Sequence, residues 1–137
     1  MSRYTKQPLD FAGLPESYRH EADTLRAVAA RMHREAQAGN QVLVLDDNDT
    51  VLYYLSGVTP WSRYASLLHS VMTQKMLEDT QSEILSRRPA VVFIRSAIPN
   101  PKWWFDDVWA VYQKLLASHY KLQEHVGMYE MWRINVP

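Results

Sequence analysis

The sequence predicts an α/β fold, specifically a Rossmann-like three-layer α/β/α sandwich. Two short apolar runs, Val42–Leu45 and Ala90–Ile94, alternate with segments that have helical periodicity. Neither run shows polar alternation, which is typical of strands covered by helices on both faces. Two further strand-like segments close the chain. We therefore expect a mostly parallel four-stranded sheet with a C-terminal antiparallel hairpin.

The first half of the chain supplies a helix, a strand and a helical turn. Residues 1–16 have no periodicity and are predicted to form an irregular arm, which leaves residues 17–137 as a single α/β domain. Residues 17–38 are predicted as a helix because apolar side chains recur at helical spacing: Leu25, Val28, Ala29, Met32 and Ala36. Gln41–Leu45 follows as a strand. Asp49 or Thr50 is expected to cap a short helical turn that ends at Ser56-Gly57.

The second half repeats the alternation. Residues 64–86 are predicted as helix, with a break or restart at Glu78–Gln81, where the apolar positions lapse. Pro89 opens the second strand, at a position where a missing N–H is tolerated. A helix at 103–118 has a broad apolar face. The last two strands, Tyr120–Glu124 and Met128–Ile134, meet near Val126-Gly127 as a hairpin.

The composition excludes several classes of protein. Fifteen basic residues balance fifteen acidic ones among 137 residues, so no overall charge favours nucleic acid. The absence of cysteine removes disulfides, thiolate metal sites and a cysteine nucleophile. With four glycines, a phosphate-cradling loop is not expected. No two of the five histidines share a helical face at metal-ligand spacing, so no metal or cofactor is predicted.

The segment from Tyr53 to Tyr64 holds the predicted ligand-binding residues. It follows a strand, and loops at the carboxyl ends of strands are where α/β folds place ligand groups. Arg63 is a candidate clamp for a phosphate or carboxylate, with a neighbouring ring stacked on a sugar. The alternative is a structural pair between Arg63 and Asp46 or Asp47. The candidate ligand-binding residues are Arg63, Tyr64, Trp61, Tyr54, Asp46 and Asp47.

Short motifs in this region resemble a known family. They are Tyr-Leu-Ser-Gly at 54–57, Thr-Pro at 59–60 and Ser-Arg-Tyr at 62–64, followed by Pro89 and by Tyr120 at the hairpin. This succession resembles the C-terminal extramembrane domain of bacterial polytopic glycosyltransferases of the dolichyl-phosphate-mannose-mannosyltransferase-like group, which use lipid-linked sugars. The resemblance spans residues 20–134 in layout.

The resemblance implies a noncatalytic accessory domain. In that family the catalytic acid lies in a loop of the membrane-embedded portion, so this chain alone is not expected to transfer sugar. The domain would assist substrate recognition or stabilise the membrane part. Its implied partners are that membrane part and a lipid-linked sugar or glycan. The implied location is the extracytoplasmic face of the bacterial inner membrane for an excised domain, and the cytoplasm otherwise.

Two other functions stay open at this point. Asp47-Asn48-Asp49-Thr50 partly matches the nucleophile motif of Mg²⁺-dependent haloacid-dehalogenase-like phosphohydrolases, although the glycine before the threonine is missing. The same Asp49 fits a helix cap equally well. The third possibility is a soluble protein-interaction module that uses the aromatic helix at 103–112.

Overall fold

Helices and strands alternate along the described part of the chain. The computed structural model describes residues 16–46, 48–62, 73–96 and 105–135, with the side chains of 16–20 and 105–107 excepted. The elements in chain order are α1 (Glu16–Gln37), β1 (Val42–Leu45), α2 (Asp49–Ser56), α3 (Gln74–Arg87), β2 (Val91–Arg95), α4 (Phe105–His119), β3 (Tyr120–Val126) and β4 (Tyr129–Ile134). Residues 1–15 of the predicted arm lie outside the described residues, and Glu16 already belongs to α1.

The sheet is mixed, and the predicted mostly parallel Rossmann-like sheet is wrong. The four strands lie in the order β1-β2-β4-β3. Strands β1 and β2 are parallel, whereas β2 pairs antiparallel with β4 and β4 pairs antiparallel with β3. The C-terminal hairpin is therefore an integral half of the sheet, because its second strand lies directly beside β2.

Side-chain polarity explains why β4 is central and β3 is at the edge. In β4, Tyr129 and Met131 are fully buried, which requires cover on their face of the sheet. In β3, Lys121, Gln123 and His125 are exposed, as edge positions tolerate. A register shift between Leu122 and Glu124 adds the irregularity that edge strands commonly carry. The more apolar strand of the hairpin thus takes the inner position.

Helices cover both faces of the sheet. One core cluster contains Val28 and Met32 of α1 and Leu52 of α2, packed with Val44 and Phe93 of the strands. The opposite cluster is formed by apolar side chains of α3, α4, the strands and the segment after α2: Leu77, Ile84, Val108, Tyr112, Leu116, Leu43, Val92, Ile94 and Trp61. Because β1 and β2 are apolar on both faces, they contribute to both clusters, as the sequence predicted.

Helix α3 is continuous, and the predicted break at Glu78–Gln81 is wrong. The helix begins after Thr73, whose hydroxyl accepts a hydrogen bond from the backbone N–H of Met76 at 3.1 Å. It ends at Arg87, and the following Arg88 caps it in the left-handed conformation with φ of 47°. Leu77 and Ile84 are both buried, so one face of the helix carries the core contact through the polar stretch. Residues 63–72 and 97–104 lie outside the described residues.

Candidate functional site

Tyr53 anchors helix α2 to the free edge of β1. Its hydroxyl accepts a hydrogen bond from the N–H of Val44 at 3.0 Å and donates one to the carbonyl of Val42 at 3.1 Å. Burial raises the pKa of the Tyr53 phenol to about 12, so the hydroxyl stays protonated in neutral solution. The ring therefore fixes both the position and the rotation of α2 against the sheet.

The C-terminal end of α2 is held by hydrogen bonds. Gly57 adopts the left-handed conformation with φ of 71°, and its N–H donates to the carbonyl of Tyr53 at 3.0 Å. The hydroxyl of Ser56 donates to the same carbonyl at 3.2 Å and accepts from the N–H of Val58. Nδ1 of His33 on α1 bonds the carbonyl of Ser56 at 3.0 Å. The Tyr-Leu-Ser-Gly segment is thus a fixed structure.

A groove between α1 and α2 exposes Tyr54. The α1–α2 groove has a volume of about 760 Å³, and its lining residues are Arg26, Ala29, Ala30, His33, Arg34, Tyr54, Leu55, Ser56 and Gly57. The Tyr54 side chain is 57% exposed, because the rotation that buries Tyr53 points its neighbour toward solvent. No acidic residue is among the described residues that line the groove. The groove therefore combines an open aromatic ring with a basic wall.

Asp46 lies in a closed polar network at the carboxyl ends of β1 and β2. Arg95 donates from Nε to Oδ1 of Asp46 at 2.8 Å and from Nη2 to Oδ2 at 3.2 Å. The hydroxyl of Tyr129 donates to Oδ2 at 2.5 Å, and the backbone N–H of Asn48 donates to the same oxygen at 3.3 Å. With Asp46 only 1% exposed, its carboxylate is fully engaged in joining two strand ends.

The charges of this network balance each other. Burial opposes the charge of Arg95, but the hydrogen bonds and the charge of Asp46 raise the pKa of the guanidinium above its usual value. Burial, together with the nearby Asp46 charge, raises the pKa of Tyr129. The amide of Asn48 donates to the Tyr129 hydroxyl at 3.3 Å. Such a satisfied buried network stabilises the fold and offers no unpaired acid for catalysis.

Trp61 belongs to the core rather than to the α1–α2 groove. The side chain is 5% exposed and packs with the α3 and α4 cluster. The guanidinium of Arg87 lies 4.1 Å from the centroid of its ring. Among the described residues its indole Nε1 has no hydrogen-bond partner. Trp61 also lines a cavity of about 270 Å³ with Thr59 and Arg87.

The remaining predicted site residues lie outside the described residues. These are Asp47, Arg63 and Tyr64. The alternative predicted for Arg63 was a structural pair with Asp46 or Asp47, and the structure pairs Asp46 with Arg95. A signal for Arg95 was present, because it is the single charged residue that ends an otherwise apolar strand, just as Asp46 follows β1. Parallel strands bring their carboxyl ends to one edge of a sheet.

The side chain of Asp49 is buried and hydrogen-bonded within the protein. It is 4% exposed, and its Oδ1 accepts from the backbone N–H of Thr50 at 2.6 Å and from the Thr50 hydroxyl at 3.3 Å. A general acid needs access to the group that it protonates, and this geometry withholds that access. Within the described ranges, no group of three or more His, Asp or Glu side chains has an arrangement that suits a metal ion.

Comparisons with known proteins add no relative to this picture. The chain matches no protein-family model, no curated protein and no solved structure. None of the helices within residues 16–46, 48–62, 73–96 and 105–135 combines the length and apolar character that crossing a bilayer requires. The α1–α2 groove and the Asp46 network are thus interpreted from their own geometry.

Proposed function

We propose that this chain is a noncatalytic accessory domain of a membrane glycosyltransferase and that it assists substrate recognition. The single observation that carries the proposal is the position of the Tyr-Leu-Ser-Gly segment. Residues 54–57, which belong to the motifs that resemble the glycosyltransferase family, line the α1–α2 groove. An exposed aromatic ring beside a basic wall suits binding of a polar ligand more than chemistry on it.

The environment of the acidic residues supports binding without catalysis. The carboxylate of Asp46 accepts hydrogen bonds from Arg95 and Tyr129, and the carboxylate of Asp49 accepts one from the backbone N–H of Thr50. Catalytic acids instead have a perturbed carboxyl that can reach a substrate. The groove, by contrast, is open and lies on the face of the sheet covered by α1 and α2.

The test is sugar transfer in the cell that encodes the chain. Residues 16–135 are deleted from the chromosomal gene, and transfer of a radiolabelled polyprenyl-linked sugar is measured in isolated membranes. We expect the deletion to reduce transfer, and a plasmid copy of the intact gene to restore it. Transfer that stays unchanged after the deletion would overturn the accessory role.

A second assay tests the absence of catalysis. The purified chain is incubated with Mg²⁺ and p-nitrophenyl phosphate, and no turnover above that of heat-denatured protein is expected. Turnover that is lost in Asp47→Asn would contradict a noncatalytic domain and would favour the phosphohydrolase function. Asp79→Asn, which removes a carboxylate from an exposed ion pair with Lys75, is the matched control.

A further inference from the structure

We infer that the α1–α2 groove binds a sugar ring that carries an anionic group, with the anion on α1 and the ring on Tyr54. This inference rests on the proposed function, because it assigns the ligand class of the same groove. Three properties of the groove carry it: the charge of its α1 wall, the exposure of Tyr54, and the small side chains on the α1 wall.

The α1 wall carries positive charge on Arg26 and Arg34. Arg26, His33 and Arg34 stand at positions i, i+7 and i+8 of the helix, so they share one face. Arg26 pairs with Asp23 at 3.2 Å in an exposed contact, which leaves its guanidinium near the surface. No carboxylate lies among the described residues that line the groove. A carboxylate or phosphate is the group that complements such a wall.

His33 removes an obstacle to an anion. The C-terminal end of a helix presents carbonyl oxygens, which repel negative charge. Here the Ser56 carbonyl at the end of α2 is bonded to Nδ1 of His33 at 3.0 Å. Since a carbonyl only accepts, Nδ1 carries the hydrogen in this contact. The imidazole therefore satisfies one of the carbonyls at the helix end that borders the groove.

Tyr54 provides a preset stacking surface. Its neighbour Tyr53 is held on β1 by two hydrogen bonds, and this rotation of α2 points the Cα–Cβ bond of Tyr54 toward solvent before any ligand arrives. An exposed aromatic ring gives large contact area at low conformational entropy cost, which favours binding of a flat apolar face. The face of a sugar ring that carries C–H groups has this shape.

The size of the groove suits a small-molecule ligand. Ala29 and Ala30 line the groove on the same α1 wall as the basic residues, and their short side chains take up little of its space. The volume of about 760 Å³ lies within the usual range for small-molecule sites. A neutral sugar would use the ring contact alone, and a small inorganic anion would use the basic wall alone. The full groove matches a ligand with both.

The experiment is an amide NMR titration of the purified chain with glucuronate, glucose 1-phosphate and glucose. We expect at least one of the two anionic sugars to shift the amide signals of residues 26–34 and 54–57, with a dissociation constant of the order of 1 mM. Glucose is expected to bind at least about tenfold more weakly, because it lacks the charge-assisted contact. The two anionic arms distinguish a carboxylate from a phosphate.

Variants complete the test. Arg34→Ala is expected to weaken binding of the anionic sugar by about tenfold, Tyr54→Ala to weaken it likewise, and Tyr54→Phe to retain it. Lys114→Ala is the matched control, since it removes one exposed positive charge from α4 on the opposite face of the sheet. Circular dichroism verifies that each variant is folded.

Three results would overturn the inference: no shift with any of the sugars, equal affinity for glucose, or equal losses in Arg34→Ala and Lys114→Ala. A failed titration together with reduced sugar transfer after the deletion would reject the ligand class and keep the accessory role. A successful titration with unchanged transfer would reject the accessory role and keep the binding site.

Discussion

Arg95 and Asp46, which are separated by 49 positions in the sequence, form a two-pronged ion pair that joins the carboxyl ends of β2 and β1. Removing one partner of a buried pair leaves the other charge uncompensated. We expect Asp46→Asn to lower the free energy of unfolding by about 3–5 kcal/mol. Urea denaturation followed by circular dichroism measures the change.

The control for this prediction is Asp79→Asn. Asp79 pairs with Lys75 at 3.3 Å, and both side chains are well exposed, so we expect a change within about 0.5 kcal/mol. Equal denaturation midpoints for Asp46→Asn and wild type would show that the Asp46 network does not hold the strand ends together.

Tyr53→Phe tests the anchoring of α2. The substitution keeps the ring but leaves the buried N–H of Val44 and the carbonyl of Val42 without their partner, which destabilises by about 1–3 kcal/mol. Tyr54→Phe, one residue along and exposed, is expected to change stability by less than about 0.5 kcal/mol. Thermal unfolding compares the two variants. Equal stability of both would refute the hydroxyl anchor.

Alanine substitutions at Gly57 and Gly127 distinguish the effect of backbone strain from the effect of steric overlap. Gly57 and Gly127 both have positive φ, of 71° and 60°, so alanine is strained at either position by roughly 1 kcal/mol. A Cβ at Gly57 meets nothing within 4 Å, whereas one at Gly127 would lie 2.4 Å from Cγ2 of Thr24. Gly127→Ala should therefore destabilise more than Gly57→Ala.

The double variant Thr24→Ala/Gly127→Ala tests whether overlap with Thr24 causes the larger destabilisation expected for Gly127→Ala. In a Thr24→Ala background, Gly127→Ala no longer meets the Thr24 methyl group, so its effect should fall toward that of Gly57→Ala. Denaturation midpoints of the single and double variants provide the comparison. An unchanged effect of Gly127→Ala in that background would mean that the overlap is relieved elsewhere.

The ion pair between Glu35 and Arg133 is expected to make a pH-dependent contribution to the stability of the fold. Hydrogen bonds from Arg133, at 2.8 Å and 3.1 Å, lower the pKa of Glu35 below its usual value of 4.5. An acid with a depressed folded-state pKa stabilises the fold above its unfolded pKa, and the gain is lost as the pH falls through the folded value. Glu35→Gln should lower the free energy of unfolding by about 1 kcal/mol at neutral pH and leave it unchanged in strong acid.

Stability measured across the acidic range checks this sign. Glu83→Gln is the control, because its pair with Arg87 is exposed and 3.6 Å long, so it should shift stability by less than about 0.5 kcal/mol throughout. A loss from Glu35→Gln that persists unchanged below the folded pKa of Glu35 would assign its role to packing instead.

Local elements were predictable, and strand order was only partly so. The periodicity that indicates α1 and the apolar runs of β1 and β2 depend on neighbouring residues, and the structure confirms them. The order of β3 and β4 depends on which strand can be covered by distant helices, a property of the whole domain. The polar residues Lys121 and His125 marked β3 as an edge strand, but strand alternation with helices favoured a parallel sheet.

The α1–α2 groove includes part of the segment that the sequence singled out, but the tertiary contacts of that segment were not predictable. The stretch from Tyr53 onward does carry the exposed ring of Tyr54. The basic wall opposite lies on α1, and only tertiary packing brings His33 to Ser56. The partner of Asp46 was missed although Asp46 and Arg95 each mark the end of an apolar strand, because their pairing depends on β1 and β2 lying side by side.

The Tyr53 hydroxyl blocks the addition of another strand at the β1 edge of the sheet. It occupies the outward N–H of Val44 and the outward carbonyl of Val42, which are the groups that an incoming strand would need on the β1 side. Engineers who wish to append a strand, graft a peptide or split this domain for complementation would accordingly work at β3, and would treat Tyr53 as the built-in stop at the other end.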